Sequence, residues 1–216
     1  MIRRLERVVA SPPDRPAVGN ADHPMRNVTR QIAFEPDGWT PERMAKVVEL
    51  FDGLAPDWDA RFQSSETQTP LRDALARGGP LVGPCVELGA GTGRATGALV
   101  ACFGTALACD VSGEMLRLFG EPAAQPVRAD SAALPVRDGG AGTLVLVNAF
   151  LFPTEVARVL AGDGALVWVN TLGDATPIHL PVDDVIGALR AATNETWTAV
   201  AAEAGWGEWA VVRREP

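Results

Sequence analysis

The chain of 216 residues contains no tyrosine and a single lysine, Lys46, and these absences narrow its chemistry. Without tyrosine, a Tyr-Lys catalytic pair is excluded. The three cysteines include no Cys-x-x-Cys pair, so the sequence predicts neither a disulfide framework nor a zinc site. We expect no metal, and a cysteine usage of this kind is typical of the reducing cytoplasm.

Long apolar runs are also missing. No run approaches the roughly 20 residues that span a bilayer, and the interrupted apolar stretch of residues 1–13 does not resemble a secretory signal. The formal net charge is −8, from 19 basic and 27 acidic residues. This balance disfavours nucleic acids and anionic membranes as partners, because proteins that bind them carry a basic surface.

The charge is unevenly distributed along the chain. Residues 1–34 hold six arginines and three acids, a local balance of +3, so the remainder carries −11. This segment also contains four prolines and no sustained periodicity. Such a composition predicts an extended or partly disordered arm over residues 1–38.

Residues 39–79 have the pattern of a helical segment. Thr40 and Pro41 are typical of a helix start, and apolar residues then recur on one face until Asp52-Gly53 ends the helix. A second helix fits residues 70–77, with Gly78-Gly79 as its stop. We expect these helices to form a lid on the following domain.

From residue 81 onward, short apolar runs alternate with helical segments, which predicts an α/β core over residues 80–216. We expect a doubly wound, mostly parallel, seven-stranded sheet with helices on both faces. The expected strands lie near residues 82–88, 105–109, 126–129, 142–148, 164–170, 196–203 and 207–213. Ligands of such sheets bind beyond the carboxyl ends of the strands.

A glycine-rich loop, VELGAGTG at residues 86–93, joins the first core strand to its helix. Glycines permit a tight turn and close approach of a ligand to the backbone. The dinucleotide fingerprint needs Gly or Ala at position 94, which is Arg94, and no Gly-Lys-Ser/Thr follows for a P-loop. Neither nucleotide motif therefore fits.

The loop resembles motif I of the class I S-adenosylmethionine-dependent methyltransferases. The resemblance continues through ALACDVSGEML, VRADSAALPVRD and EVARVLAGDGALVWV, and it covers about residues 80–170. It implies a Rossmann-like methyltransferase with S-adenosyl-L-methionine as cofactor. The chain departs from the family pattern at Ala141-Gly142, where the family usually has Phe-Asp.

The resemblance implies that the loop, with Gly89, Ala90, Gly91 and Gly93, lies against the methionine moiety of the cofactor. Glu87 would orient this loop and meet the amino group. An ordinary strand-to-helix turn is the alternative for the glycines.

Further cofactor residues are implied after the next strands. Asp110 would accept both ribose hydroxyls, work that suits the two oxygens of a carboxylate, and Val111 would pack on the adenine. Asp130 would accept from the adenine amine, with Ser131 and Ala132 nearby. Helix capping is the alternative for Asp110, and a simple turn is the alternative for Asp130.

Two more residues are implied at the rim of this site. Asn148 follows the fourth strand, where the sulfonium and its methyl group would lie. Trp58, with Asp59, resembles an aromatic–Asp pair that closes over the cofactor in related enzymes. Plain packing remains the alternative for Trp58.

The acceptor is predicted to be a small molecule, methylated on O, N or C by in-line displacement. Asn148 is not followed by Pro-Pro-Tyr, and Pro84-Cys85 opens the first core strand, at the wrong end for catalysis. Both signatures of nucleic-acid base methylation are therefore missing, and we expect all three cysteines to be buried apolar residues.

A catalytic base is needed only for an acceptor of high pKa. His179 is the candidate, with a solvent-facing loop histidine as the alternative, and Asp174 is a weaker one. Two other functions stay open: an NAD(P)-dependent oxidoreductase, which Arg94 disfavours, and a non-catalytic cofactor-binding interaction protein. The sequence leaves monomer and homodimer open.

Overall fold

The computed structural model describes residues 1–15, 22–61 and 64–215 of the chain. Within these ranges eight strands form one sheet in the order β1-β7-β8-β6-β5-β2-β3-β4. Only β8 runs antiparallel to its neighbours. The strands are β1 (Ile2–Arg4), β2 (Cys85–Leu88), β3 (Leu107–Asp110), β4 (Gln125–Arg128), β5 (Ala141–Val147), β6 (Leu160–Asn170), β7 (Trp197–Ala204) and β8 (Gly207–Arg214).

The predicted α/β class and mostly parallel sheet are confirmed, and each of the seven expected strands is present. The count of seven is corrected to eight because Ile2–Arg4 pairs in parallel with β7. The helices are α1 (Pro24–Phe34), α2 (Pro41–Leu54), α3 (Trp58–Arg61), α4 (Thr69–Arg77), α5 (Thr96–Phe103), α6 (Gly113–Arg117), α7 (Pro153–Val159) and α8 (Val182–Thr193).

The helix start predicted at Thr40 is observed. The Thr40 hydroxyl accepts the N–H of Arg43 at 3.2 Å, and Pro41 is the first helical residue. The helix extends to Leu54 rather than ending at Asp52-Gly53, because the Ala55 N–H still bonds to the carbonyl of Phe51. The side chain of Asp52 instead accepts hydrogen bonds from the residues after β3.

The N-terminal segment has more regular structure than its composition predicts. Beyond β1, its backbone follows the edge of the sheet: the Gly205 N–H donates to the Val9 carbonyl at 3.1 Å, and the Trp206 indole donates to the Pro12 carbonyl at 2.8 Å. Helix α1 then spans eleven residues. Residues 16–21 of the expected arm lie outside the described residues, and the domain boundaries at residues 38 and 79 stay predictions.

Apolar cores lie on both faces of the sheet, because successive strand residues point to opposite sides. Leu144 and Leu146 of β5 face α7 and α8 in one core, while Val145 joins the core under α4 and α5. Trp168, Trp197 and Trp209 are the largest fully buried side chains. The expected helices on both faces are thus confirmed.

The carboxyl ends of β2, β3, β4 and β5 meet at one edge of the sheet, since these strands are parallel neighbours. Helix α2 packs against α6 at this edge, and α1 packs against α8. In the described ranges, no helix has the length and apolar character needed to cross a membrane.

Candidate active site

The three positions of the loop require glycine for different structural reasons. All have positive φ, at 71°, 59° and 87° for Gly89, Gly91 and Gly93, a region that L side chains rarely adopt. A Cβ on Gly89 would lie 2.9 Å from the Ala149 Cβ, and one on Gly93 would lie 2.9 Å from the Phe119 ring. These two glycines therefore serve protein packing.

Gly91 is less crowded than the other two glycines, since a Cβ there would make only ordinary van der Waals contacts. Among the described residues, the atoms nearest to a Cβ placed there are Trp58 Nε1 and Met115 Sδ, both at 4.0 Å. The neighbouring Gly89 and Ala90 N–H groups donate to the carbonyl of Cys109 at 2.9 and 3.0 Å. Gly91 is thus the least crowded of the three loop glycines.

Asp110 braces the loop from the end of β3. Its Oδ2 accepts the Gly91 N–H and its Oδ1 accepts the Ser112 N–H, both at 2.8 Å. Burial raises the pKa of Asp110 against these hydrogen bonds, and the nearby Asp52 carboxylate raises it further. Ser112 itself caps α6, since its hydroxyl accepts the Met115 N–H at 3.1 Å, so Asp110 is not needed as the cap.

Glu87 lies at the end of the neighbouring strand and is only 1% exposed. Its Oε2 accepts the Thr96 hydroxyl at 2.5 Å, which ties β2 to the start of α5. Burial raises the pKa of Glu87 to about 7; the Thr96 hydrogen bond opposes this shift and Asp110 adds to it. The two acids form a buried pair that a cationic ligand would stabilise in its ionised form.

Asp130 follows β4 and is already engaged. Its Oδ1 accepts the Ala132 N–H at 2.8 Å, and the Trp39 indole N–H contacts Oδ1 and Oδ2 at 3.1 and 3.0 Å. Ser131 and Ala132 are half-buried beside it, as is Val111 after β3. The sequence contains no local signal for the Trp39 contact.

The segment of residues 39–61 touches the loop after each of three strands. Trp39 contacts Asp130, as above. Asp52 accepts the Ser112 hydroxyl and the Glu114 N–H. Asp59 accepts the Thr92 hydroxyl at 2.7 Å, beside the glycine loop.

Trp58 belongs to the same segment and lies near Gly91, with its ring edge-on to Phe51 at 5.8 Å between centroids. The structure thus brings the Trp58-Asp59 pair to the glycine loop. Plain packing against Phe51 is part of the role of Trp58, and its cofactor role stays a prediction.

Asn148 ends β5 in the left-handed region, at φ 51°. Its Oδ1 accepts the Thr171 N–H at 2.9 Å, and its Nδ2 donates to the Thr171 hydroxyl at 2.8 Å. The side chain therefore joins the carboxyl ends of β5 and β6 at the predicted rim. Asparagine tolerates this backbone conformation better than most residues.

His179 is not a solvent-facing loop residue: its side chain is 9% exposed. Nε2 lies 2.8 Å from Glu208 Oε1, and Nδ1 lies 3.3 Å from a guanidinium nitrogen of Arg26. Since arginine is only a donor, this arrangement assigns the proton to Nε2 and occupies both ring nitrogens. Asp174 is exposed and pairs with Arg15 at 3.3 Å.

The cysteines differ from expectation at one position. Cys85 and Cys109 are buried, which raises the pKa of their thiols to about 12 and about 11, so neither is a thiolate nucleophile. Cys102 is exposed, because it lies on the outer side of α5 rather than in a strand. Over the described ranges, no group of three or more His, Cys, Asp or Glu side chains is arranged to hold a metal.

Residues 86–168, from β2 into β6, match the family model described as "Methyltransferase domain". The match spans the glycine loop, the two buried acids and Asn148. Residues 86–168 are thus similar to a methyltransferase domain, in agreement with the resemblance of the sequence to the class I S-adenosylmethionine-dependent methyltransferases. No curated protein matches the sequence significantly.

Several solved methyltransferase structures are similar to this chain in fold. The DhpI–SAH complex is 19% identical, with 80% of this chain and 97% of that chain covered and a TM-score of 0.62. A SAM-dependent methyltransferase from Aquifex aeolicus is 16% identical, with 82% and 98% covered and a TM-score of 0.56. A methyltransferase in complex with the Trm112 methyltransferase activator of Haloferax volcanii is 18% identical, with 77% and 97% covered and a TM-score of 0.58.

Proposed function

We propose that this enzyme transfers the methyl group of S-adenosylmethionine to a small-molecule acceptor, using the residues described above as its cofactor site. The observation that carries the proposal is the buried pair Glu87 and Asp110, placed at adjacent strand ends beside the glycine loop, where Asp110 holds the N–H of Gly91. A site of this kind suits a cation that also carries hydroxyl groups.

The residues fit the cofactor. Each Asp110 oxygen accepts one backbone N–H and retains capacity for a further donor, as ribose hydroxyls require. Glu87 would hold the methionine amino group, directly or through water, and a positive charge there would favour its ionised form. When bound, the cofactor supplies a methyl group activated by a sulfonium.

Residues 39–61 act as the lid in this proposal. Trp58 lies over Gly91, while Asp52 and Asp59 hold the segment on the loops after β3 and β2. Closure of such a segment excludes water and restricts the donor to one orientation. For an in-line displacement, positioning of donor and acceptor can supply much of the rate enhancement.

The acceptor side is lined by apolar residues. Beyond Asn148, Phe150 and Phe152 join Ile178 in one cluster, which Ile32 of α1 and Val47 of α2 cover. A covered, apolar surface next to the reacting end is typical of small-molecule sites. In this setting His179 would act as a base only if Arg26 released Nδ1.

The test is transfer from methyl-labelled S-adenosylmethionine to a panel of phenols, amines, thiols and carboxylic acids, run beside tRNA, duplex DNA and a protein mixture. We expect label in the small-molecule fraction, and less of it with the Asp110→Ala variant at a subsaturating cofactor concentration. Label in a macromolecular fraction would contradict the acceptor class. Cofactor binding without transfer to any acceptor would favour a non-catalytic binding protein.

A further inference from the structure

Trp39 occupies the hydrogen-bonding face of the Asp130 carboxylate. Its indole N–H lies 3.1 Å from Oδ1 and 3.0 Å from Oδ2, and so bridges the two oxygens. The Ala132 N–H takes a further position on Oδ1. Both acceptor positions of Oδ1 are therefore taken, and the indole takes one of the two on Oδ2.

The same carboxylate is the one that the proposed function assigns to the adenine amine. The two donors, indole and amine, would need the same face of Asp130. Both make hydrogen bonds to an ionised acceptor, which are stronger than neutral ones. An exchange of one for the other is therefore close to balanced, and small changes in either donor shift it.

Trp39 is also attached to the acceptor side. Its ring lies 6.0 Å from the Phe150 ring and 5.3 Å from the Phe152 ring between centroids, the latter edge-on. Helix α2 begins two residues after it, at Pro41. A movement of the indole away from Asp130 would therefore reposition the aromatic cluster that covers the acceptor side.

We propose that Trp39 is an internal competitor for the adenine subsite, and that it couples cofactor binding to the acceptor cluster. In this structure the indole holds Asp130. An adenine amine takes over the carboxylate, the indole leaves it, and the Trp39–Phe152 contact rearranges. This inference rests on the proposed cofactor site and adds to it a residue that determines the affinity for the 6-amino group.

The experiment compares two ligands on two proteins by titration calorimetry. The ligands are S-adenosylhomocysteine and its analogue with hydrogen in place of the 6-amino group. Trp39→Phe keeps an aromatic ring and removes the N–H donor together with the five-membered ring, and the comparison of the two ligands separates the loss of the donor from the loss of packing. We expect this variant to bind S-adenosylhomocysteine about threefold to tenfold more tightly than the wild type, while the affinity for the analogue stays unchanged.

Trp58→Phe is the matched control, because it alters the other tryptophan of residues 39–61 without touching Asp130. It should change the affinity for both ligands by the same factor. If Trp39→Phe weakened both ligands alike, Trp39 would be a brace for the site; if it strengthened both alike, the lid would merely be loosened. Either result overturns the inference. Failure of the wild type to bind S-adenosylhomocysteine would instead refute the proposed function.

A second readout follows the environment of Trp39 directly in the wild-type protein. The six tryptophans can be labelled with 5-fluorotryptophan, and the ¹⁹F resonance missing from Trp39→Phe identifies Trp39. If that variant does not fold, Asp130→Asn identifies the resonance by its shift. We expect the Trp39 resonance to move on saturation with S-adenosylhomocysteine and to stay in place with the analogue. Equal movement with both ligands would contradict the competition.

Discussion

The carboxylate of Asp110 accepts the backbone N–H of Gly91 at 2.8 Å, so the end of β3 holds the least crowded of the three loop glycines. A single side chain thus fixes the shape of the glycine loop and offers acceptors to a ligand beside it. Loop geometry and cofactor affinity should respond together when Asp110 is changed.

Replacement of Asp110 tests its role toward the ribose. Asp110→Ala should weaken the binding of S-adenosylhomocysteine by about 1.5–3 kcal/mol, the scale of hydrogen bonds to a charged group. Asp110→Asn keeps one acceptor oxygen, so it should lose less affinity for S-adenosylhomocysteine than the alanine variant. Titration calorimetry measures both, and an unchanged affinity of the alanine variant would refute the ribose assignment.

Glu87 should make the protein less stable at higher pH. Its folded-state pKa of about 7 exceeds the unfolded value of about 4.3, so the folded state holds the proton more tightly and stability falls as pH rises between these values. Glu87→Gln removes this penalty. The variant should match the wild type near pH 4 and exceed it by roughly 1–3 kcal/mol at pH 8.

Urea unfolding at several pH values measures this difference. A variant that is less stable than the wild type at pH 8 would show that the ionised Glu87 is not penalised. The same variant should bind the cofactor more weakly, because its side chain carries no negative charge for the amino group.

Asp73 should show the opposite pH dependence. It is 8% exposed on α4 and accepts from the Trp209 indole at 2.7 Å and from Arg77 at 2.8 and 2.6 Å. Burial acts to raise its pKa, but the hydrogen bonds from Arg77 and Trp209 prevail and lower it. The stability from this network is present above the unfolded pKa of about 3.9 and is lost as pH falls below it.

Asp73→Asn should therefore destabilise the protein by about 1–3 kcal/mol at pH 7, with the difference disappearing at low pH. Glu114→Gln is the control, because it removes an exposed ion pair, Glu114–Arg117. Exposed pairs contribute about 0–1 kcal/mol to the free energy of unfolding. A difference for Asp73→Asn that stayed constant down to pH 3 would contradict the charged network.

The N-terminal arginines should contribute little individually. Arg4, Arg7, Arg15 and Arg30 each pair with an acid of the core, but their side chains are 40–62% exposed. Arg30→Ala should change the free energy of unfolding by less than about 1 kcal/mol. Deletion of residues 1–4 should cost more, because it removes β1 and exposes the edge of β7.

Thermal unfolding and light scattering distinguish these two changes. We expect a small shift in melting temperature for Arg30→Ala, and a larger shift with aggregation for the deletion. A deletion with the stability and solubility of the full chain would show that the segment is not held by strand pairing.

Local patterns account for the parts of the fold that the sequence predicts. The apolar runs of β5 and β6, the turn at residues 89–93 and the cap at Thr40 each depend on residues adjacent in sequence. The missed elements lack such a signal. Strand β1 has three residues and depends on pairing with the edge of β7. Helix α1 did have a local signal, because Met25, Val28 and Ile32 recur at helical spacing after His23-Pro24.

The residues of the candidate site likewise fall into those with a local sequence signal and those brought together only by tertiary packing. Glu87, Asp110 and Asp130 could be found because each lies at or just after the carboxyl end of a strand, at a recognisable position. The contacts of Trp39 with Asp130 and of Asp52 with Ser112 join residues 91 and 60 positions apart, and no short pattern indicates them. The engagement of His179 by Arg26 and Glu208 likewise depends on tertiary packing.

One departure from the family pattern also has a tertiary reason. Gly142 replaces the usual acid at the start of β5, and a Cβ there would lie 2.6 Å from the carbonyl oxygens of Val82 and Gly83. The chain before β2 passes too close for a side chain. The substitution thus follows from local packing rather than from the chemistry of the site.

The most direct test of the account is titration calorimetry of the wild-type protein with S-adenosylmethionine, S-adenosylhomocysteine and NADH. We expect both sulfur compounds to bind with dissociation constants of about 1–100 μM, and NADH not to bind. Binding of NADH, with neither sulfur compound bound at millimolar concentration, would contradict the assignment of the site around Glu87, Gly91 and Asp110.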